Sequence, residues 1–329
     1  MGYRSLVGAV AVALSLQDAP SALAAFPSRP IKVVVPMPAG SAPDIRIRLV
    51  AEELSKVLRQ QVVVENRAGG GGAIGVQAVL AGEADGHTLL AASASIYTIL
   101  PVQGAATAFD VNRDLIPIGT IMAEGQVLAV SPKLGVRTLA DFVALARAKP
   151  DTIAIGTNPA GSLPHLAAKL IAAHAKAPII IVPFSQGGTN AALTQILGGR
   201  IHAVIDGRPS LKGLLDSGDL KALAIMTDER VPSIPDLPTA AETLPGVRAV
   251  GWFVLCAPKG TPPNAVDIIH DGLREALDAP ELIKKVEQIG TPFKPLFGDD
   301  LSRFIESEQK LWRPIVHQET KAGSEQPGN

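Results

Sequence analysis

The chain of 329 residues contains one cysteine, Cys256. It can therefore form no internal disulfide and no multi-cysteine zinc site. Its apolar setting (Val254, Leu255, Ala257) reads as a buried thiol that packs and does not react. Aromatic residues amount to 4%, too few to furnish the stacked rings that usually line a sugar cleft. Neither sign of charge dominates: 30 Lys and Arg stand against 31 Asp and Glu, a net charge of −1. That balance argues against a nucleic-acid partner, which wants a basic face. Enzyme signatures are also missing. There is no G-x-S-x-G elbow, no H-E-x-x-H helix and no P-loop. The six histidines are scattered, so no metal site and no cofactor are expected.

What the chain does have begins with a leader. Arg4 precedes an apolar run from Leu6 to Leu16, and Ala22-Leu23-Ala24 then offers an A-x-A cleavage site. The run is shorter than the roughly 20 residues a membrane-spanning helix needs. Residues 1–24 are thus expected to be a signal peptide, removed before Ala25 or Phe26, which places the mature protein outside the cytoplasm. About 305 residues remain, enough for two domains.

Strand-like and helix-like segments alternate along the mature chain, the pattern of an α/β fold with mainly parallel sheets. Candidate strands are 31–35, 62–65, 87–92, 115–121, 126–131, 152–156, 179–182, 201–205, 221–226 and 251–257. Candidate helices are 43–59, 73–82, 95–100, 138–148, 163–176, 189–198, 209–216, 238–243, 263–277, 280–289 and 299–319, before a polar tail at 321–329. Two extended stretches, 115–131 and 248–258, read as crossings between lobes. They suggest a discontinuous first lobe (26–122 plus 251–329) and an inserted second lobe (123–250), because 263–319 is nearly all helix and lacks strands for its own sheet. Two sequential domains divided near residue 130 are the alternative.

The chemistry concentrates where strands run into helices. In the first lobe the strand Ile31–Val35 empties into a loop of small residues, Ala39-Gly40-Ser41-Ala42, before a helix that opens near Asp44. In the second, the strand 152–156 empties into Thr157-Asn158-Pro159-Ala160-Gly161-Ser162, with His165 one turn into the next helix. Helix N-termini offer unpaired N–H groups and the positive end of the dipole, so two such loops facing each other can clamp one carboxylate. The same sites also read as ordinary capped turns. Ser93 and Ser95, Phe184 and Ser185, and Asp206 end three further strands, and ligands in open α/β sheets lie at such ends. Asp206 would repel a carboxylate and accept from a hydroxyl or an amine; capping the helix near Ser210 is its other reading. Arg46, Arg48, Arg59 and Arg67 read as solvated or capping residues. Gly70, Gly72 and Gly75 satisfy G-x-G-x-x-G, but no acidic residue ends the following strand near Ala92. A turn lining the cleft therefore fits better than a dinucleotide site.

Taken together, RPIKVVVP (29–36), PAGSAPD (38–44), VVVENR (62–67) with its glycines, DGHTLL (85–90), Gly161 to Leu166, Val182 to Phe184, Leu197 to Gly199, Leu220 to Ala224, PDLPT (235–239) and Gly251 to Phe253 resemble the periplasmic receptors of the tripartite tricarboxylate transporter family, the Bug proteins. The order and spacing hold across nearly all of the mature chain. The resemblance implies a type II periplasmic binding protein fold: two lobes, two hinge crossings, a ligand cleft between the lobes, and no catalysis. It implies a carboxylate pincer on Ala39–Ala42 and Thr157–Ser162, acting partly through water. It also implies delivery of the ligand to a permease with a large and a small membrane subunit. The receptor itself is read as a monomer.

The chain departs from the family pattern at Ser41 and Pro43, which replace a glycine and a threonine. It departs again at Phe184 to Gln186, where a tyrosine and a basic residue are usual, and at Gly207, where an asparagine is usual. These changes fall where specificity is set, so the family's substrate is not carried over. Phe184 favours an apolar body and Asp206 repels further carboxylates, which favours a mono- or dicarboxylate with an apolar middle over citrate. Two other readings stay open: a secreted hydrolase or isomerase using Ser93, His165 and Asp206, and a ligand sensor presenting its closed state to a membrane kinase.

Overall fold

The computed structural model describes residues 26–37, 39–102, 108–289 and 294–324. The expected signal peptide and positions 325–329 of the polar tail lie outside the described residues. The chain begins with β1 (Ile31–Val35), α1 (Ala42–Leu58), β2 (Val62–Asn66), α2 (Ala73–Leu80), β3 (Thr88–Ser93), α3 (Ala94–Thr98) and the short α4 (Val111–Asp114). A strand of 16 residues follows, β4 (Leu115–Val130). Next come α5 (Leu139–Ala148), β5 (Ala154–Thr157), α6 (Leu163–Ala175), β6 (Ile180–Pro183), α7 (Gly188–Leu197), β7 (Ala203–Gly207), α8 (Arg208–Asp216) and β8 (Lys221–Ile225). The chain closes with β9 (Val250–Pro258), α9 (Pro263–Asp278), α10 (Pro280–Ile289) and α11 (Gly298–Ser324).

The sheet has two halves that share β4. One runs β2-β1-β3-β9-β4, with β1 parallel to both neighbours and β9 antiparallel to β3 and β4. The other joins β4 to β7 and β8 antiparallel and continues through β5 to β6 in parallel. The first part of β4, Leu115 to Gly125, pairs with β9; Gln126 to Val130 pairs with β7. The two expected strands 115–121 and 126–131 are thus one strand. Gly119 and Gly125 do not break it, because a Cβ at either would meet Phe297, or Thr227 and Ile225, at 2.5–2.8 Å. The expected helix 238–243 is a single 3₁₀ turn, Ala240–Glu242, closed by a capping box between Thr239 and Glu242.

Strand composition explains the layering. In β1, Ile31, Val33 and Val35 enter one core while Val34 enters another. In β4, Leu128 and Val130 face one core, Val127 and Ala129 its opposite. Side chains alternate across a strand, so unbroken apolar runs require helices on both faces. Cys256 fits this pattern: it is fully buried on β9, and burial pushes its thiol up to about 12.

The long α11 ties the halves together. Leu301 and Ile305 sit in the core beside β3 and β9; Trp312 and Val316 sit in the core beside α5 and α6. Between them Glu308, fully buried, accepts from the indole N–H of Trp252 on β9 (2.8 Å) and from that of Trp312 (3.3 Å), and pairs with Arg248 just before β9. Removing one partner of a buried ion pair costs about 3–5 kcal/mol. Glu308→Ala should therefore lose about that much in urea unfolding. Glu308→Gln should lose less, because its amide oxygen still accepts an indole N–H. A loss below about 1 kcal/mol for Glu308→Ala, the range of an exposed pair, would show that this junction does not hold the halves.

Candidate functional site

Two loops of the same construction face one cavity. In the first, Gly40 takes a positive φ of 76°, Ser41 is the extended N-cap of α1, and Pro43 lies in the first turn. In the second, Gly161 has φ 78°, Ser162 is the extended N-cap of α6, and Pro164 lies in the first turn. The carbonyls of Ser41 and Ser162 both accept the first helical bond at 3.0 Å. The Gly40 N–H donates to Asp44 (2.8 Å), and the Gly161 N–H donates to His165 Nδ1 (3.1 Å). The sequence therefore carries one device twice, GSAPD at 40–44 and GSLPH at 161–165. Glycine supplies the left-handed turn, serine the cap, proline a first-turn φ, and the fifth residue reaches back to hold the glycine N–H.

Neither serine completes its cap. Their hydroxyls make no bond to the helix and are buried without a protein partner. These two hydroxyls, at helix N-termini, are groups that can donate to an anion. Both line a cavity of about 710 Å3 between the loops. A smaller opening of about 310 Å3 adjoins it, lined by Gly71, Ser95, Gly161 and Ser162. Apolar groups dominate the larger cavity: Met37, Ile99, Met122, Leu163, Trp252 and Trp312. An apolar cleft with a few convergent polar groups is the usual form of a small-molecule site.

The expected residues fall into three groups. Ser41, Ser93, Ser95, Asn158, Ser162 and Asp206 line the cavity, with Ser93 and Ser95 bonded to each other at 2.8 Å. Asp44, Thr157 and His165 are buried behind it and brace the loops. Asp44 accepts from Gly40, Arg48 (3.0 Å) and Asn66 (2.8 Å). It therefore closes the first loop, a larger role than complementing the helix dipole. Burial pushes its carboxyl up, but these hydrogen bonds outweigh that and hold it below the usual carboxylate range. The Thr157 hydroxyl turns inward and donates to the Asn158 carbonyl at 2.9 Å. Ala39 and Gly40, expected in the clamp, are exposed and not among the lining residues, the Gly40 N–H being taken by Asp44, and Ala42 opens α1.

The third group lies away from the cavity. Phe184 packs on the core beside α7, and Ser185 is exposed in the turn after β6. Neither is among the lining residues.

Asp206 is the centre of a network. It accepts from Thr189, from Asn158 Nδ2 (3.2 Å) and from the Gly207 N–H (2.7 Å). Asn158 Oδ1 in turn accepts from the Thr189 N–H at 2.9 Å. The second loop is thereby fixed to β7 and α7. Burial raises the Asp206 carboxyl, with these donors opposing. Ser93, His165 and Asp206 thus each bond to a different partner.

Other lining residues carried no local signal. Glu124 and Gln126, two polar residues in the middle of an apolar strand, line the cavity with Trp252 and Trp312. Arg46 is not solvated: its side chain is 4% exposed and pairs with Glu124 at 3.2 Å. The glycines at 72 and 75 allow close packing, since a Cβ would meet Ile96 at 2.8 Å or Pro36 at 2.9 Å.

Two half-sheets joined by the antiparallel strands β4 and β9, with a cavity between their loops, define a two-lobed periplasmic binding protein. The family model of the tripartite tricarboxylate transporter family receptor matches residues 46–320. The chain belongs to that family. It is 33% identical over 306 residues to protein BugT of Bordetella pertussis, covering 91% of this chain and 92% of BugT. It is 33% identical over 311 residues to a UPF0065 protein of Bordetella bronchiseptica, covering 94% and 91%. Among solved structures, Rpa4515 of R. palustris with adipate superposes with a TM-score of 0.75 at 30% identity, over 90% of this chain and 98% of that one. MatC of Rhodopseudomonas palustris with bound malate gives 0.71 at 27%, over 88% and 100%.

The lowered Asp44 carboxyl has a consequence for acid stability. A carboxyl held below its unfolded value, about 3.9, contributes stability above that value and loses it as pH falls through the native one. Asp44→Asn should cost about 1–3 kcal/mol at pH 7 and flatten the decline of stability below pH 4. Urea midpoints measured from pH 3 to 7 check this; equal acid limbs in both proteins would show that Asp44 does not hold the loop as a carboxylate.

Proposed function

We propose that the protein is an extracytoplasmic receptor that captures one carboxylate of a small organic acid between Ser41 and Ser162. It then delivers the acid to a permease with one large and one small membrane subunit. The observation that carries this reading is the pair of buried, unpartnered serine hydroxyls on two matching helix N-termini. A carboxylate has two oxygens, each able to accept from one lobe. Helix N–H groups and dipoles add to both contacts. Family membership supports the role of solute receptor, and adipate and malate in the structures of two relatives support an acid as the solute.

On this reading residues 26–122 plus 251–329 form one lobe and 123–250 the other, with β4 and β9 as the crossings. The leader is removed on export and the receptor works as a monomer. Asp44, His165 and Asn158 keep the loops preformed, so that little conformational freedom is lost on binding. The bonds of Ser93, His165 and Asp206 to Ser95, Gly161 and Thr189 weigh against these three acting as one triad, and membership in a family of solute receptors supports binding over catalysis.

Ser41→Ala and Ser162→Ala should each remove a hydrogen bond to a charged group. Such a bond is worth about 1.5–3 kcal/mol, or roughly 10- to 150-fold in affinity. Calorimetry with the tightest acid from a thermal-shift screen of mono-, di- and tricarboxylates checks this. Unchanged affinity in either variant would remove that loop from the clamp.

A further inference from the structure

The cavity contains a third unmet polar group, and it is of another kind. Gln126 lies on β4 at the point where the strand leaves β9 and begins to pair with β7. Its backbone is fixed: the N–H donates to Ala249 (2.9 Å) and the carbonyl accepts from Met226 (2.8 Å). The residue is 6% exposed and lines the cavity, and its Oε1 is buried with no protein partner. A buried amide oxygen without a donor is costly, and native structures rarely leave one so.

The chemistry differs from that of the two serines. A hydroxyl can donate to a carboxylate, whereas an amide oxygen only accepts. The surrounding charge points the same way. Glu124 and Asp206 line the cavity, and no Lys, Arg or His is among its described lining residues. Arg46, the cation behind Glu124, is already paired with it at 3.2 Å. Asp206 has its own donors in Thr189, Asn158 and Gly207. A second carboxylate near Gln126 would thus meet the Asp206 carboxylate, with no cation among the described lining residues to offset it. Much of the remaining lining is apolar, with Ile99, Met122, Leu163 and Trp252.

Resting on the carboxylate reading above, we propose that Gln126 anchors the far end of the ligand and that this end is a hydrogen-bond donor. The preferred ligand is then a monocarboxylate with an apolar body and a distal hydroxyl or ammonium. A dicarboxylate is disfavoured.

A series of equal chain length tests this on the purified chain by calorimetry: hexanoate, ω-hydroxyhexanoate, ω-aminohexanoate and adipate. The hydroxy or the amino acid should bind about tenfold or more tighter than both hexanoate and adipate. The hydroxy arm and the amino arm separate a neutral from a cationic donor. In Gln126→Leu that advantage should shrink to about twofold, with hexanoate affinity kept. Adipate as the tightest of the four would overturn the proposal, and that ranking needs no variant to fold. So would an advantage that survives in Gln126→Leu, or binding by none of the four. Hexanediol distinguishes the two readings. If it binds as tightly as ω-hydroxyhexanoate and weakens in Gln126→Leu, the donor at Gln126 stands and the carboxylate clamp falls.

Discussion

One buried carboxylate holds the middle of this molecule. Glu308 has no access to solvent, so its charge and lone pairs must be met inside the protein. Burial raises its carboxyl, and Arg248 and the indoles of Trp252 and Trp312 oppose that. These partners come from three places: the approach to β9, β9 itself, and α11. Meeting one charge therefore fixes the register of the terminal helix against a strand that joins the two half-sheets. It also fixes the cavity, because Trp252 and Trp312 both wall it. A side-chain network of this kind stabilises when complete and is costly when broken.

From that fixed middle, the two serine-capped loops are placed by local devices at the cavity. Each loop is a glycine in the left-handed region, a serine cap and a proline, with a side chain one turn on that holds the glycine N–H. Asp44 performs this task as an anion and His165 as a ring nitrogen, so two chemistries solve one geometric problem. Both loops are braced from behind, which leaves the serine hydroxyls as the unmet groups in front. Leaving two hydroxyls unpaired costs folding energy, and an anion bridging them would offset that cost.

The helices and strands were legible because both faces of each sheet are covered. Runs such as Val33–Val35 and Leu89–Ala92 are apolar throughout, and Gly, Ser and Pro punctuate the strand ends. Ser41, Ser162 and Asp206 were legible for the same reason, since strand ends and caps are local features. The repeat of GSxP is local too, yet it becomes meaningful only when the two copies face each other. Phe184 and Ser185 end a strand as well, but β6 is the edge of its half-sheet and its end lies away from the cavity. Thr157 is the last residue of β5, and its hydroxyl turns inward to the Asn158 carbonyl. Gln126, Glu124 and the two tryptophans depend on which strands pair with β4 and where α11 lies. Those are long-range facts that no window of sequence contains. Arg46 reads as solvated on its own helix and is buried because Glu124 approaches it from β4.

The central claim is that one carboxylate is shared by the two matching loops. Backbone amide shifts of the ¹⁵N-labelled protein, followed during titration with ω-hydroxyhexanoate and separately with its methyl ester, test it most directly. The account predicts that Ser41 and Ser162, with their glycine neighbours, move together along one binding curve with the acid and stay still with the ester. Movement of one loop alone, or equal movement with the ester, would contradict it.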